Sequence, residues 1–200
     1  APKVGKSSFL LSLLIHMAAG TEFLGFKPPR PLKIAYLQTE IRRDYLRERI
    51  QMMKFPPELM KQAYNNLFIT SEDPVRLDQI GVETAKRSIL YHFFGQKADI
   101  IALDPLRHVF DRGPNDKSEN DNGAMLDFLQ QRLEVLRDLV NPNAGMVLIH
   151  HIKKMSMQQL DEDGFQALAG ASALHAHFSA GILMYRQDKN SSVRKVVFES

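Results

Sequence analysis

The chain has no cysteine among its 200 residues. That excludes a disulfide framework, thiolate metal ligands and cysteine nucleophiles. It also suits a reducing compartment, so a cytoplasmic location is the expectation. Internal repeats, low-complexity tracts and a dividing linker are missing too, so residues 1–200 read as one domain. The apolar run Phe9 to Ala19 falls short of the roughly 20 residues that a membrane-spanning helix needs, so no membrane partner is expected. Lys3 and Lys6 ahead of that run, with Gly20 behind it, have the outline of a secretory signal. The chain does not begin with Met, however, and Gly5-Lys6-Ser7 has a better explanation below. A large excess of one charge is also lacking: 26 Lys and Arg face 23 Asp and Glu, for a net +3 and a pI near 9.1. Such a balance is compatible with nucleic acid without arguing for it. The split is uneven, +5 over residues 1–100 (15 basic, 10 acidic) and −2 over 101–200 (11 and 13).

What remains is ordinary globular material, 44% hydrophobic and 24% charged. Strand and helix signals alternate, which predicts a parallel α/β fold. The expected helices are Lys6 to Ala19, Asp44 to Lys54, Leu77 to Phe94 and Met125 to Val140. The last carries an apolar stripe at Leu126, Leu129, Leu133 and Leu136. Strands are expected at Lys33 to Gln38, Leu67 to Thr70, Asp99 to Leu103 and Met146 to Ile149. Phe178 to Tyr185 and Val193 to Glu199 read as two late strands around a turn. Pro56 and Pro57 should end the second helix, while 111–123 and the polar, Met-rich 152–166 read as loops.

Ala1-Pro2-Lys3-Val4-Gly5-Lys6-Ser7 matches all but the first position of the phosphate-loop pattern G-x-x-x-x-G-K-[S/T]. That glycine would fall one residue before Ala1, so the chain is expected to start inside its own phosphate loop, after the strand that feeds it. The chemistry asks for backbone N–H groups curled around a β-phosphate, and Pro2, Lys3, Val4, Gly5, Lys6, Ser7 and Ser8 would form that segment, all but Pro2 carrying an N–H. Lys6 would neutralise β/γ oxygens, the Ser7 hydroxyl would ligate Mg²⁺, and the following helix would aim its positive end at ATP.

Three apolar strands end in polar residues. Ile34 to Gln38 leads to Glu40, Ile100 to Leu103 leads to Asp104, and Met146 to Ile149 leads to His150 and His151. In open α/β sheets ligands bind outside the carboxyl ends of the strands. Asp104 could support Mg²⁺ through water, since that ion keeps much of its hydration. Glu40 could orient or deprotonate an attacking water. A neutral imidazole could donate to a γ-phosphate and respond to its loss. Each residue alone has a plainer reading: Asp104 as a turn cap, Glu40 as a surface charge beside Arg42 and Arg43, and the histidines as metal ligands, although no third spaced ligand accompanies them.

Together these segments resemble the RecA-like ATPase core, and most of all the hexameric plasmid replicative helicases of the RepA type with related phage and plasmid ATPases. The likeness rests on Tyr36-Leu37-Gln38-Thr39-Glu40, Asp104-Pro105-Leu106-Arg107, Leu148-Ile149-His150-His151-Ile152-Lys153-Lys154 and Gly170-Ala171-Ser172-Ala173-Leu174, in that order after the phosphate loop. It implies a homo-oligomer, a hexameric ring or a filament, with Glu40 catalytic and His151, backed by His150, as γ-phosphate sensor. It also implies two loops for single-stranded DNA, with Arg112 and Lys117 in the first and Lys153 and Lys154 in the second. Ala169 stands where related helicases often carry Arg, and Phe198 and Ser200 stand where recombinases carry lysines that reach a neighbour's ATP. Arg186 is then the candidate finger in trans. Motor and non-motor ATP-binding switch, acting through protein partners, both stay open.

Overall fold

The computed structural model describes residues 4–70, 76–113, 117–152, 156–167, 171–188 and 192–199. Helix α1 (Lys6–Ala19) leads into β1 (Ile34–Gln38), α2 (Arg43–Met52), α3 (Pro57–Tyr64), β2 (Leu67–Ile69) and α4 (Gln79–His92). Then come β3 (Ile100–Asp104), α5 (Leu106–Val109), α6 (Asn122–Phe128), a π-helical turn (Leu129–Leu133), α7 (Glu134–Val140) and β4 (Gly145–Leu148). After these stand α8 (Met157–Asp163), a 3₁₀ turn (Gly164–Ala167), α9 (Ala171–His177), β5 (Gly181–Tyr185) and β6 (Lys195–Glu199).

The first four strands form a parallel sheet in the order β2-β1-β3-β4. Strand side chains alternate between faces, and a parallel sheet must bury both. Accordingly Ile34, Tyr36 and Ala102 pack under α1, with Leu46 of α2 and Leu59 and Ala63 of α3. Ala35, Leu37, Ile101 and Leu103 pack on the other face with α4, α6 and α7. Helix α1 carries Leu10, Leu11, Leu14, Ile15 and Ala18 as its buried stripe. It stops at Gly20, whose φ of 75° closes the last turn through bonds to the carbonyls of His16 and Met17. A Cβ there would also lie 2.9 Å from the Pro31 ring, so only glycine fits. Strands β5 and β6 form a separate antiparallel pair, with Leu183, Tyr185 and Val197 packed on Leu160 of α8 and on Phe165.

Three expectations change. The Pro56-Pro57 pair ends α2 but also begins α3, because Pro57 occupies the first helical position, where its missing N–H has no partner to lose. The helix expected from Met125 to Val140 starts at Asn122, capped by the Asp121 carboxylate, and is split by the π-helical turn. The extra residue of that turn shifts the register, so Met125 and Phe128 are buried while Leu126 is 41% exposed. The stretch 152–166 holds α8, where Ser156 Oγ accepts from Gln159 N and Gln159 Oε1 accepts from Ser156 N, a capping box.

Candidate functional site

The carboxyl ends of β1, β3 and β4 lie side by side, with Gln38 opposite Asp104 and Leu103 opposite Leu148 in the ladder. Beyond the ladder, Thr39 N donates to Asp104 O at 3.1 Å, Ile149 N to Leu103 O at 2.9 Å, and Leu106 N to Ile149 O at 2.8 Å. Backbone bonds therefore fix the points from which Glu40, Asp104, His150 and His151 depart.

Asp104 is 2% exposed, and Oδ2 accepts the Tyr36 hydroxyl at 2.7 Å. Burial, with the Asp104 carboxylate beside it, raises the Tyr36 hydroxyl far above its ordinary range, so it stays a donor at any physiological pH. Gln38, also 2% exposed, shapes the turn after β1. Its Oε1 accepts from Glu40 N at 2.7 Å and from Ile41 N, and its Nε2 donates to Ile41 O. The turn thus presents Glu40 as an exposed carboxylate. Between them, the Thr39 hydroxyl is buried and has no hydrogen-bond partner among the described residues.

Across from these ends, Gly5 adopts φ 100° and opens α1 with no side-chain cap on the first-turn N–H groups. First-turn donors without a side-chain cap are open to water or to a ligand, and the lysine beside these favours an anion. Lys6 is half-buried. Burial lowers its ammonium pKa, and the charges of Asp104 and Glu40 oppose that shift. Two carboxylates far away in sequence therefore both bear on the Lys6 ammonium. His151 joins them: burial first, then the charges of Lys6, His150 and Arg107, lower its pKa and favour the neutral imidazole.

The residues fit a phosphate and a divalent ion on three counts: uncapped N–H donors at α1, the orphaned Thr39 hydroxyl next to Asp104, and hard oxygen donors from Ser7 and Asp104. Among the described residues no group of three or more His, Asp or Glu gathers as a metal cage. Mg²⁺ bound through phosphates and one or two protein oxygens does not need one.

The other expected residues sit elsewhere. Arg186 follows β5, in the hairpin sheet. Arg112 and Lys117 are exposed and line a cavity of about 350 Å³ with Asp111, Asp127, Gln131 and Arg132, where Arg132 Nε binds Asp111 at 3.0 Å. Pro2, Lys3, Lys153 and Lys154 lie outside the described residues. Sequence reasoning passed over Tyr36, Gln38 and Thr39 as supports. The signal was there: a strand buried on both faces still contains a hydroxyl and an amide, and buried polar atoms need partners.

A parallel sheet buried between helix layers, a Gly-Lys-Ser turn opening α1, and carboxylates at neighbouring strand ends define a RecA-like P-loop ATPase. The AAA_25 family model, described as an AAA domain, matches residues 1–157, and the chain belongs to that family. Among solved structures, a KaiC-like protein of the hyperthermophilic archaeon Pyrococcus horikoshii is similar in fold, with a TM-score of 0.57 over 99% of this chain and 75% of that one, at 13% identity. A search of curated proteins finds no match. Among the described residues no helix is long and apolar enough to cross a membrane.

Proposed function

We propose that residues 1–200 form one RecA-like domain that hydrolyses ATP with Mg²⁺, works as a ring-shaped homo-oligomer, and serves as a helicase or another DNA replication or repair motor. The observation that carries the ATPase reading is the convergence of the uncapped α1 N-terminus and Lys6 on the carboxyl ends of β1, β3 and β4, where Glu40, Asp104 and His151 stand. In this reading the backbone of Val4 to Ser8 and the Lys6 ammonium hold the phosphates. Ser7 and Asp104 would hold the Mg²⁺, which would supply positive charge against the phosphate oxygens. Glu40 accepts a proton from the attacking water, and Gln38 keeps it at the required place. A neutral His151 donates to the γ-phosphate, and Arg186 would complete a neighbour's site.

The motor part rests on the family likeness and on the basic residues Arg112, Lys117, Lys153 and Lys154, which would hold single-stranded DNA. One observation favours the rival switch reading: Asp111 and Asp127 line the same cavity as Arg112 and Lys117, which thins any phosphate track. The discriminating experiment is ATP turnover with and without single-stranded DNA, at a measured oligomeric state. A motor should be stimulated, and Glu40→Gln should lower turnover by about 10²-fold or more while ATP still binds. Unstimulated turnover with no DNA binding at low salt would favour the switch. Normal hydrolysis by Glu40→Gln would place the base elsewhere.

A further inference from the structure

Arg194 enters β6 from the far end of the chain yet touches the phosphate loop. Its Nε donates to the carbonyl oxygen of Val4 at 2.8 Å, a contact across 190 positions. Its Nη1 donates to the carbonyls of Ser192 at 2.6 Å and Val193 at 3.1 Å, so the guanidinium is tied to its own backbone as well. The next residue is anchored too. Lys195 Nζ binds Asp161 of α8 at 2.6 Å, and the Tyr185 hydroxyl donates to the same carboxylate. Adjacent residues of an extended chain project to opposite sides. The entry of β6 therefore grips the phosphate loop with one side chain and α8 with the next.

The position of that grip has a consequence for the loop. Val4 is 5% exposed, so its carbonyl needs a partner within the protein. In a planar trans peptide the C=O and the following N–H point in opposite directions. Holding the Val4 oxygen on the hairpin side therefore turns the Gly5 N–H to the other side. Gly5 has no Cβ to resist this, and at φ 100° it adopts a conformation open mainly to glycine.

We propose that Arg194 is a positioning residue for the phosphate loop of its own subunit. By binding the Val4 carbonyl it presets the Val4–Gly5 peptide, so that the Gly5 N–H is aimed at a phosphate before nucleotide arrives. The role differs from a finger in trans, and it rests on the phosphate-loop reading above. Preorganised donors lose less freedom on binding, so removing the brace weakens affinity for nucleotide.

The test compares Arg194→Ala and Arg194→Lys with the unmodified chain, using ADP titration by calorimetry and backbone hydrogen exchange over residues 4–9 without nucleotide. The alanine variant should bind ADP about tenfold more weakly, the scale of one hydrogen bond to a charged group. Its exchange over 4–9 should be faster. Lysine keeps a cationic donor and should recover part of both. It should not recover all, because one ammonium does not hold Val4 and the two hairpin carbonyls together. Wild-type ADP affinity in folded Arg194→Ala overturns the role. If that variant does not fold, Arg194→Lys decides alone, and wild-type behaviour in both measurements overturns the role. If the unmodified chain binds no ADP, the phosphate-loop reading fails instead. Exchange over 4–9 then judges the brace by itself, with an unchanged rate overturning it.

Discussion

The carboxyl edge of the parallel sheet and the β5–β6 hairpin both present charged groups, but in opposite surroundings. At the sheet edge Asp104 and Gln38 are 2% exposed; Tyr36 of the β1 ladder donates to Asp104, and Gln38 is held by the backbone of Glu40 and Ile41. At the hairpin, the side chains of Lys195 and its α8 partner Asp161 are 40% and 41% exposed, and Phe198 is 52% exposed. Buried groups lose their water and must be held by geometry. Exposed pairs keep competing water and gain little. Chemistry that needs a fixed carboxylate therefore belongs at the sheet edge, while the hairpin is suited to lighter tasks such as bracing a loop.

Four measurements press on that contrast. The largest effect is expected at the phosphate loop. Lys6→Ala should weaken ATP binding by about a hundredfold, near the top of what a charge-assisted hydrogen bond supplies. Because burial depresses the Lys6 pKa, the charged form costs the nucleotide-free fold something, so melting without ATP should hold steady or rise. Unchanged affinity in a calorimetric titration would remove the loop from the site.

Next comes Tyr36→Phe, which leaves Asp104 Oδ2 buried without its donor. Chemical denaturation at neutral pH should show a loss of about 1–3 kcal/mol, the cost of an unsatisfied buried acceptor. The matching change in the hairpin is Lys195→Met, and there the loss should be much smaller and shrink further in high salt. Equal losses at the two places would erase the distinction between buried and exposed polar groups.

The smallest effect concerns pH. The folded pKa of His151 lies below its unfolded value, so the unfolded chain binds the extra proton first. His151's contribution is therefore fully present above the unfolded pKa of about 6.5. It declines as pH falls from there towards the folded pKa. His151→Gln should flatten that part of the stability curve, read from denaturation midpoints between pH 5 and 8. An identical slope in both proteins would show that His151 is not shielded as its surroundings require.

Much of this was legible in one dimension. The alternation of short apolar runs with helical periods led to parallel α/β, and Gly5-Lys6-Ser7 ahead of an apolar helix marked the proposed anion site, because both depend on neighbours in sequence. The strand-end positions of Glu40, Asp104 and His151 followed the same logic. Ser156-x-x-Gln159 was a readable local signal that the polar look of 152–166 concealed. The π-helical turn had no such signal: an unbroken Leu period from 126 to 136 is compatible with an ideal helix, and packing against β3 and α4 chose another register.

The sequence by itself determined the periods, the caps and the residue types that can touch phosphate, since each depends on a few adjacent side chains and on backbone sterics. Tertiary structure alone decided which of those residues meet. Tyr36 reaches Asp104 across 68 positions, and Arg194 reaches Val4 across 190. Such bonds depend on strand order and on water being excluded from a buried interior, and neither quantity is local to any stretch of the chain.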